Sequence, residues 1–101
     1  MMSLSEITQG MSERVAKNGA IAGKVVTFDF GDDGVVRIDG TADPATVSND
    51  NGDADCRVKV SMADFQEIAA GRQNAQMAFM MGKLKVEGDM GIALQLGKIL
   101  G

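Results

Sequence analysis

Apolar residues first recur along the chain at helical spacing. Leu4, Ile7, Met11 and Val15 fall on one side of a helix. Ser3 and Glu6 stand before them in a capping-box pattern, and Asn18-Gly19 supplies the stop. The period then drops to two. From Lys24 to Phe30, Val26, Phe28 and Phe30 share one face, with Val25, Thr27 and Asp29 on the other. "GDDG", Gly31 to Gly34, reads as a turn. A second strand from Val35 to Asp39 points Val36 and Ile38 inward, so the two strands form a hairpin. Asp43-Pro44 marks another turn, and Ala45 to Ser48 a short third strand. "NDNGDAD", Asn49 to Asp55, reads as a solvated hairpin loop. In the fourth strand, "DCRVKV", Cys56, Val58 and Val60 face one way, while Asp55, Arg57 and Lys59 face water.

After Val60 the helical period returns. Ser61 with Asp64 starts a helix that turns Phe65, Ile68 and Ala69 inward and ends at Gly71. Asn74 caps a second helix carrying Met77, Ala78, Phe79, Met80 and Met81, stopped by Gly82. Lys83 to Glu87 alternates again, with Leu84 and Val86 on one face. Asp89 caps a last helix from Met90 to Leu100. One polar face on several strands predicts an antiparallel sheet covered on one side. The order helix, four strands, two helices, strand, helix predicts an α+β domain.

Bulk properties narrow the function. A chain of 101 residues suits a single domain, 1–101, with one core. The net charge of −4 gives no field that attracts nucleic acid or an anionic membrane. Histidine is absent, so no histidine acts as a general base or binds metal. Cys56 is the only cysteine and reads as a small buried apolar residue in a reducing compartment, the cytoplasm. "MMSLSEITQG" lacks the basic head and apolar run of a signal peptide, and no apolar stretch is long enough to span a membrane. The composition is unusual in its eight methionines and in having only four aromatics, all Phe. Methionine suits surfaces that adapt to varied partners.

The polar motifs fail as sites. In an EF-hand frame begun at Asn49, Ala54 stands where Gly is needed and Val60 where Glu is needed. "GDDG" and "GDMG" have the GXXG spacing of a nucleic-acid clamp, but place aspartate where phosphate would sit. Asp64 and Asp89 are explained as helix-start residues. The C-terminal third is harder to explain. Between Met90 and Leu100 only Gln95 and Lys98 are clearly polar. A helix apolar nearly all round needs burial on more than one side. It either covers something hydrophobic that is not protein or meets a second subunit.

The run Ala78-Phe79-Met80-Met81-Gly82-Lys83-Leu84-Lys85-Val86-Glu87-Gly88-Asp89-Met90-Gly91-Ile92-Ala93 resembles the core signature A-F-x-x-G-K-L-K-[IV]-x-G-[ND]-M-G-x-A. That signature marks the sterol carrier protein type-two, or nonspecific lipid-transfer, domain family. "DADCRVKVSMADFQEIAAG" supports the same resemblance. The family implies a five-stranded, mostly antiparallel sheet with helices packed on one face, enclosing an apolar tunnel. It implies binding of sterols, fatty acids, acyl-CoA or phospholipids with loose selectivity, and no metal, cofactor or catalytic residue. Carried over by position, Phe79, Met80, Leu84, Met90, Ile92 and Leu94 fall in the motif that lines or closes the tunnel. Phe65 and Ile68, on the matching helix, face the same space. Val26 and Phe28 form its sheet floor, from alternation alone.

Two departures adjust the expectation. Asp89 replaces a frequent asparagine and adds a charge near the mouth. The final residues do not read Ser-Lys-Leu, the peroxisomal address of animal members. The resemblance is therefore to bacterial stand-alone members, with ligands other than sterols. A dry pocket of about 300 Å³ would cost about 7 kcal/mol at ~24 cal/mol per Å³. The tunnel should thus be filled, collapsed by methionine rearrangement, or much smaller without ligand. The leading expectation is a carrier of fatty acyl or similar ligands, monomeric or weakly dimeric, in transient contact with membranes. Two rivals remain: a dimerisation or interaction module using the last helix, and a small lyase or isomerase built on a buried carboxylate.

Overall fold

The computed structural model describes residues 3–95. Helix α1 spans Leu4–Asn18, and its start is the expected capping box. Ser3 Oγ accepts from the Glu6 amide at 3.2 Å, and Glu6 Oε1 accepts from the Ser3 amide at 3.1 Å. These bonds satisfy two amides that the first helical turn leaves without partners. Gly19, at φ 80°, ends the helix. Ile7, Met11 and Val15 are buried, as the spacing predicts.

Strands β1 (Val25–Asp29), β2 (Val35–Asp39), β3 (Thr46–Ser48), β4 (Cys56–Val60) and β5 (Leu84–Gly88) form one sheet in the order β3-β2-β1-β4-β5. The β1–β2, β2–β3 and β4–β5 pairs are antiparallel, and β1–β4 is parallel. The mostly antiparallel five-stranded sheet is therefore present. Its inner face carries Val26, Phe28, Val36, Ile38, Cys56 and Val58. α1 and the later helices cover this face and leave one core.

The segment 49–55 corrects the sequence reading. It is a crossover, not a hairpin loop. β4 pairs with β1 in parallel, so the chain leaving β3 must cross β2 and β1 first. Arginines on the outer face tie it down. Arg37 Nη2 donates to Asp53 O at 3.4 Å; Arg57 Nη2 donates to Gly52 O at 3.2 Å and to Asn51 Oδ1 at 3.1 Å. Thr27 stands directly opposite both arginines in register and is fully buried on the face expected to be wet. Asp55 precedes β4, and its Oδ2 accepts from the Val25 amide at 2.8 Å. These bonds supply partners to loop and strand-end backbone groups that no sheet ladder pairs.

Candidate lipid-binding site

Helix α2 (Met62–Ala69) follows β4 directly. Ser61 caps it, its Oγ accepting from the Asp64 amide at 3.0 Å. The helix lays Phe65 across the sheet, edge-on to Phe28 at 5.5 Å and to Phe30 at 5.2 Å between ring centroids. Ile68, one turn further, is half-buried. Arg72 Nε closes the end of this segment on Glu67 Oε2 at 2.7 Å, and this partner holds the Glu67 carboxyl below its usual range.

Helix α3 (Ala75–Met80) is capped by Asn74, whose Oδ1 accepts from the amides of Gln76 and Met77 at 2.8 and 3.2 Å. Ala78 is its buried contact; Met80 projects to the opposite side. Gly82, at φ 77°, turns the chain into β5. Gly88, at φ 96°, turns it out again. A Cβ on Gly88 would stand 2.3 Å from Asp55 O, so this crossing of β5 over the start of β4 has room only for glycine. Helix α4 (Met90–Gln95) then packs Ile92 into the core. Asp89 Oδ1 accepts from the Gly91 amide at 2.8 Å, so aspartate does the expected capping. The sequence expectation of a helix running on to Leu100 lies, over 96–100, outside the described residues.

The sequence-derived site residues divide into three groups. Val26, Phe28, Phe65 and Ile92 are buried members of the core. Ile68 and Leu84 are half-buried, and Leu84 packs against that core. Phe79, Met80, Met90 and Leu94 are exposed, Met80 to 79% and Leu94 to 76%. Val26 and Phe28 therefore lie in a packed core, with Phe65 set edge-on against Phe28. The exposed large apolar side chains found among the described residues, Met77 and Met81 included, all belong to residues 77–94.

Two concavities lie beside these groups. One is a cleft of about 180 Å³ between α1 and α2, bordered by Ile7, Met11, Phe65 and Ala69. It is smaller than the ~300 Å³ at which small-molecule sites begin. The other is an open groove of about 430 Å³ where β1 and β4 end and β5 begins. Phe30 and Val60 contribute apolar surface to it; Lys59, Lys83 and Lys85 contribute positive charge. Sequence reading missed both. The cleft needed the packing angle of α1 on α2. The groove had one local signal, lysine at alternate positions 83 and 85.

Electrostatics point away from acid–base chemistry at Cys56. Burial pushes its thiol up, and the Asp89 charge adds to the shift. Among the described residues, no group of three or more His, Cys, Asp or Glu is placed to hold a metal ion, and no helix is long and apolar enough to cross a membrane.

A five-stranded sheet in this order, covered on one face by α1, α2 and α4, defines an α+β fold shared with known lipid-carrier domains. Sterol carrier protein 2 from Yarrowia lipolytica, in its apo form, superposes with a TM-score of 0.66 at 28% identity, over 93% of this chain and 76% of that one. The sterol carrier protein domain 2 of Helicoverpa armigera gives 0.74 at 22% identity, over 93% and 82%. Palmitated SCP2L2 from Aedes aegypti gives 0.71 at 22% identity, over 98% and 95%. In sequence, hydroxysteroid dehydrogenase-like protein 2 of Xenopus laevis is 52% identical over 48 residues, which are 48% of this chain and 12% of that protein. Human sterol carrier protein 2 is 38% identical over 52 residues, 52% of this chain and 10% of that protein. The matched stretch is thus about a tenth of these relatives' length. The model of the SCP-2 sterol transfer family matches residues 4–101. The chain belongs to that family.

Proposed function

We propose that this domain is a carrier that takes up one fatty acyl or similar apolar ligand. The observation that carries the reading is the concentration of large exposed apolar side chains in residues 77–94, within a chain of the SCP-2 sterol transfer family. Water-exposed apolar surface of this kind marks a binding site. The ligand chain lies along β5 between α3 and α4. Phe79, Met90 and Leu94 close over it, Leu84 and Ile92 lie beneath, and Met80 stands at the mouth. The deep end extends toward Phe65 and Ile68 as the α1–α2 cleft widens, above the floor of Val26 and Phe28. The name of the palmitated Aedes aegypti protein supports a fatty acyl occupant of this fold.

Binding by apolar burial, at about 0.8 kcal/mol per CH₂, distinguishes poorly between ligands that differ by one methylene, so selectivity is low. The role is carriage without a reaction step. The domain works as a monomer or weak homodimer in the cytoplasm. Native mass spectrometry with added palmitate, after solvent extraction of the purified protein, tests the reading. A one-to-one palmitate adduct is expected. A protein that neither co-purifies with lipid nor takes up palmitate would sink the carrier reading.

A further inference from the structure

Strand β5 is an edge of the sheet, and among the described residues β4 is its single neighbour. The Asp89 amide donates to Asp55 O at 3.0 Å, one step past the Gly88–Cys56 position of the ladder. Hydrogen-bonded pairs alternate along an antiparallel ladder, so Glu87–Arg57 and Lys85–Lys59 are the next bonded pairs. The amides and carbonyls of Leu84 and Val86 therefore point away from β4, as does the Gly88 amide. Among the described residues these groups have no other backbone partner. Such a row of donors and acceptors is a template for a further strand.

The side chains select that strand. Lys83, Lys85, Glu87 and Asp89 alternate with Leu84, Val86 and Gly88. Lys85 and Glu87 are exposed, while Leu84 and Val86 are half-buried against the core. The charges run positive, positive, negative, negative about Val86. An antiparallel copy of the strand, with a two-fold axis at Val86, sets Lys85 opposite the partner's Glu87 and Glu87 opposite the partner's Lys85. Lys83 and the partner's Asp89, just past the strand ends, fall level in the same register. This register also joins the outward groups, Val86 N–H to the partner's Val86 O and Gly88 N–H to the partner's Leu84 O. The unlike charges then fall at non-hydrogen-bonded positions, where side chains stand closest. An axis at Lys85 or Glu87 would set like charges directly opposite, which destabilises a sheet. Within the protomer Lys85 stands opposite Lys59, which is paired with Glu87 at 3.3 Å. The partner's Glu87 supplies the countercharge.

We propose that β5 pairs with β5 of a second copy, making a two-fold dimer with one continuous sheet. The charge pattern complements its own reversal, which selects a second copy over an unrelated strand. Met81 and Met90, exposed to 58% and 46% beyond the two ends of β5, add apolar surface. The proposal deepens the carrier reading and rests only on its homodimer clause, with no step that needs lipid.

Sedimentation velocity over a concentration series, at low and high salt, tests the interface. Native mass spectrometry with added palmitate is run on the same samples. Wild type should pass from monomer to dimer as concentration rises, less readily at high salt. Lys85→Glu gives positions 85 and 87 the same sign and should weaken self-association by about tenfold or more. Glu87→Lys should do the same with the opposite sign. Mixed together, the two folded variants should form a heterodimer, because unlike charges face each other again. The exchange variant, Lys85→Glu with Glu87→Lys, should regain the homodimer. Lys85→Glu keeps the Glu87–Lys59 pair, so it decides alone if Glu87→Lys does not fold. A wild type that stays monomeric at millimolar concentration overturns the proposal. So does a dimer that survives Lys85→Glu, or a mixture of folded variants that forms no heterodimer. Palmitate uptake by a chain that is always monomeric overturns the interface and leaves the carrier reading. A dimer that takes up no palmitate does the reverse.

Discussion

Phe65 meets Phe28 edge-on, with ring centroids 5.5 Å apart and planes at 64°. This contact, repeated on Phe30, anchors α2 to the centre of the sheet. Phe65 also lines the cleft between α1 and α2. On the proposed carrier reading, a ligand that widened the cleft would work against this contact. Phe65→Ala should destabilise the domain by about 3–5 kcal/mol. Urea unfolding measures the loss, and a midpoint close to wild type would show that α2 is held elsewhere.

Gly82 and Gly88 both have positive φ, but only Gly88 lies against backbone. Gly82→Ala should cost about 1 kcal/mol, the conformational penalty alone. Gly88→Ala adds a collision with Asp55 O and should cost several times more, or abolish folding. Thermal unfolding of the two variants side by side is the check. Equal losses would contradict the close approach at Gly88.

Leu94→Gln removes an exposed apolar side chain with few contacts to lose. Its unfolding free energy should stay within about 0.5 kcal/mol of wild type, while palmitate binding weakens. Ile92, two positions earlier, is buried in the core. Ile92→Gln should instead destabilise the fold, so the two variants separate binding from folding. The paired readouts are urea titration and native mass spectrometry.

The raised pKa of Cys56 makes stability depend on alkaline pH. The folded state holds the thiol proton more tightly than the unfolded chain, whose thiols titrate near about 8.5. This contribution is full below that pH and is lost as pH rises through the higher folded value. Wild-type stability should fall across that window more steeply than that of Cys56→Ala. Asp89→Asn should keep the α4 cap while lessening the slope, because it removes the nearby charge. Denaturant unfolding at several alkaline pH values reads both effects.

The capping box adds an effect at the acid end. Hydrogen bonds from the Ser3 backbone and then its side chain hold Glu6 below the ordinary carboxylate range. The stabilisation is present above that range and is lost as pH falls through the lowered folded value. Glu6→Gln should flatten the acid limb of a pH–stability profile; an unchanged limb would mean that the box contributes nothing in solution.

The local elements were legible because each depends on neighbouring residues. Ser3, Ser61, Asn74 and Asp89 cap the helices that the sequence assigns to them. Alternation placed Val26, Phe28, Val36, Ile38 and Val58 on the buried face. The signature from Ala78 to Ala93 was specific enough to point to the family. Alternation failed on the outer face. Thr27 has the pattern of a wet position, yet it is fully buried where the crossover passes over it. Arg37 and Arg57 hold that crossover, and nothing in their spacing reveals a partner 5 to 16 residues away.

By itself, then, the sequence determined the helices and strands, their caps, the inward face of each strand and the family. Those features depend on periodicity and short-range hydrogen bonds, which act between residues close along the chain. The tertiary structure alone decided that β4 runs parallel to β1, which makes 49–55 a crossover. It also decided that Phe79, Met80, Met90 and Leu94 stand exposed while Val26 and Phe28 lie in packed core. Burial depends on which distant elements meet, and the burial of an apolar side chain is driven by the area removed from water without a direction that sequence spacing encodes.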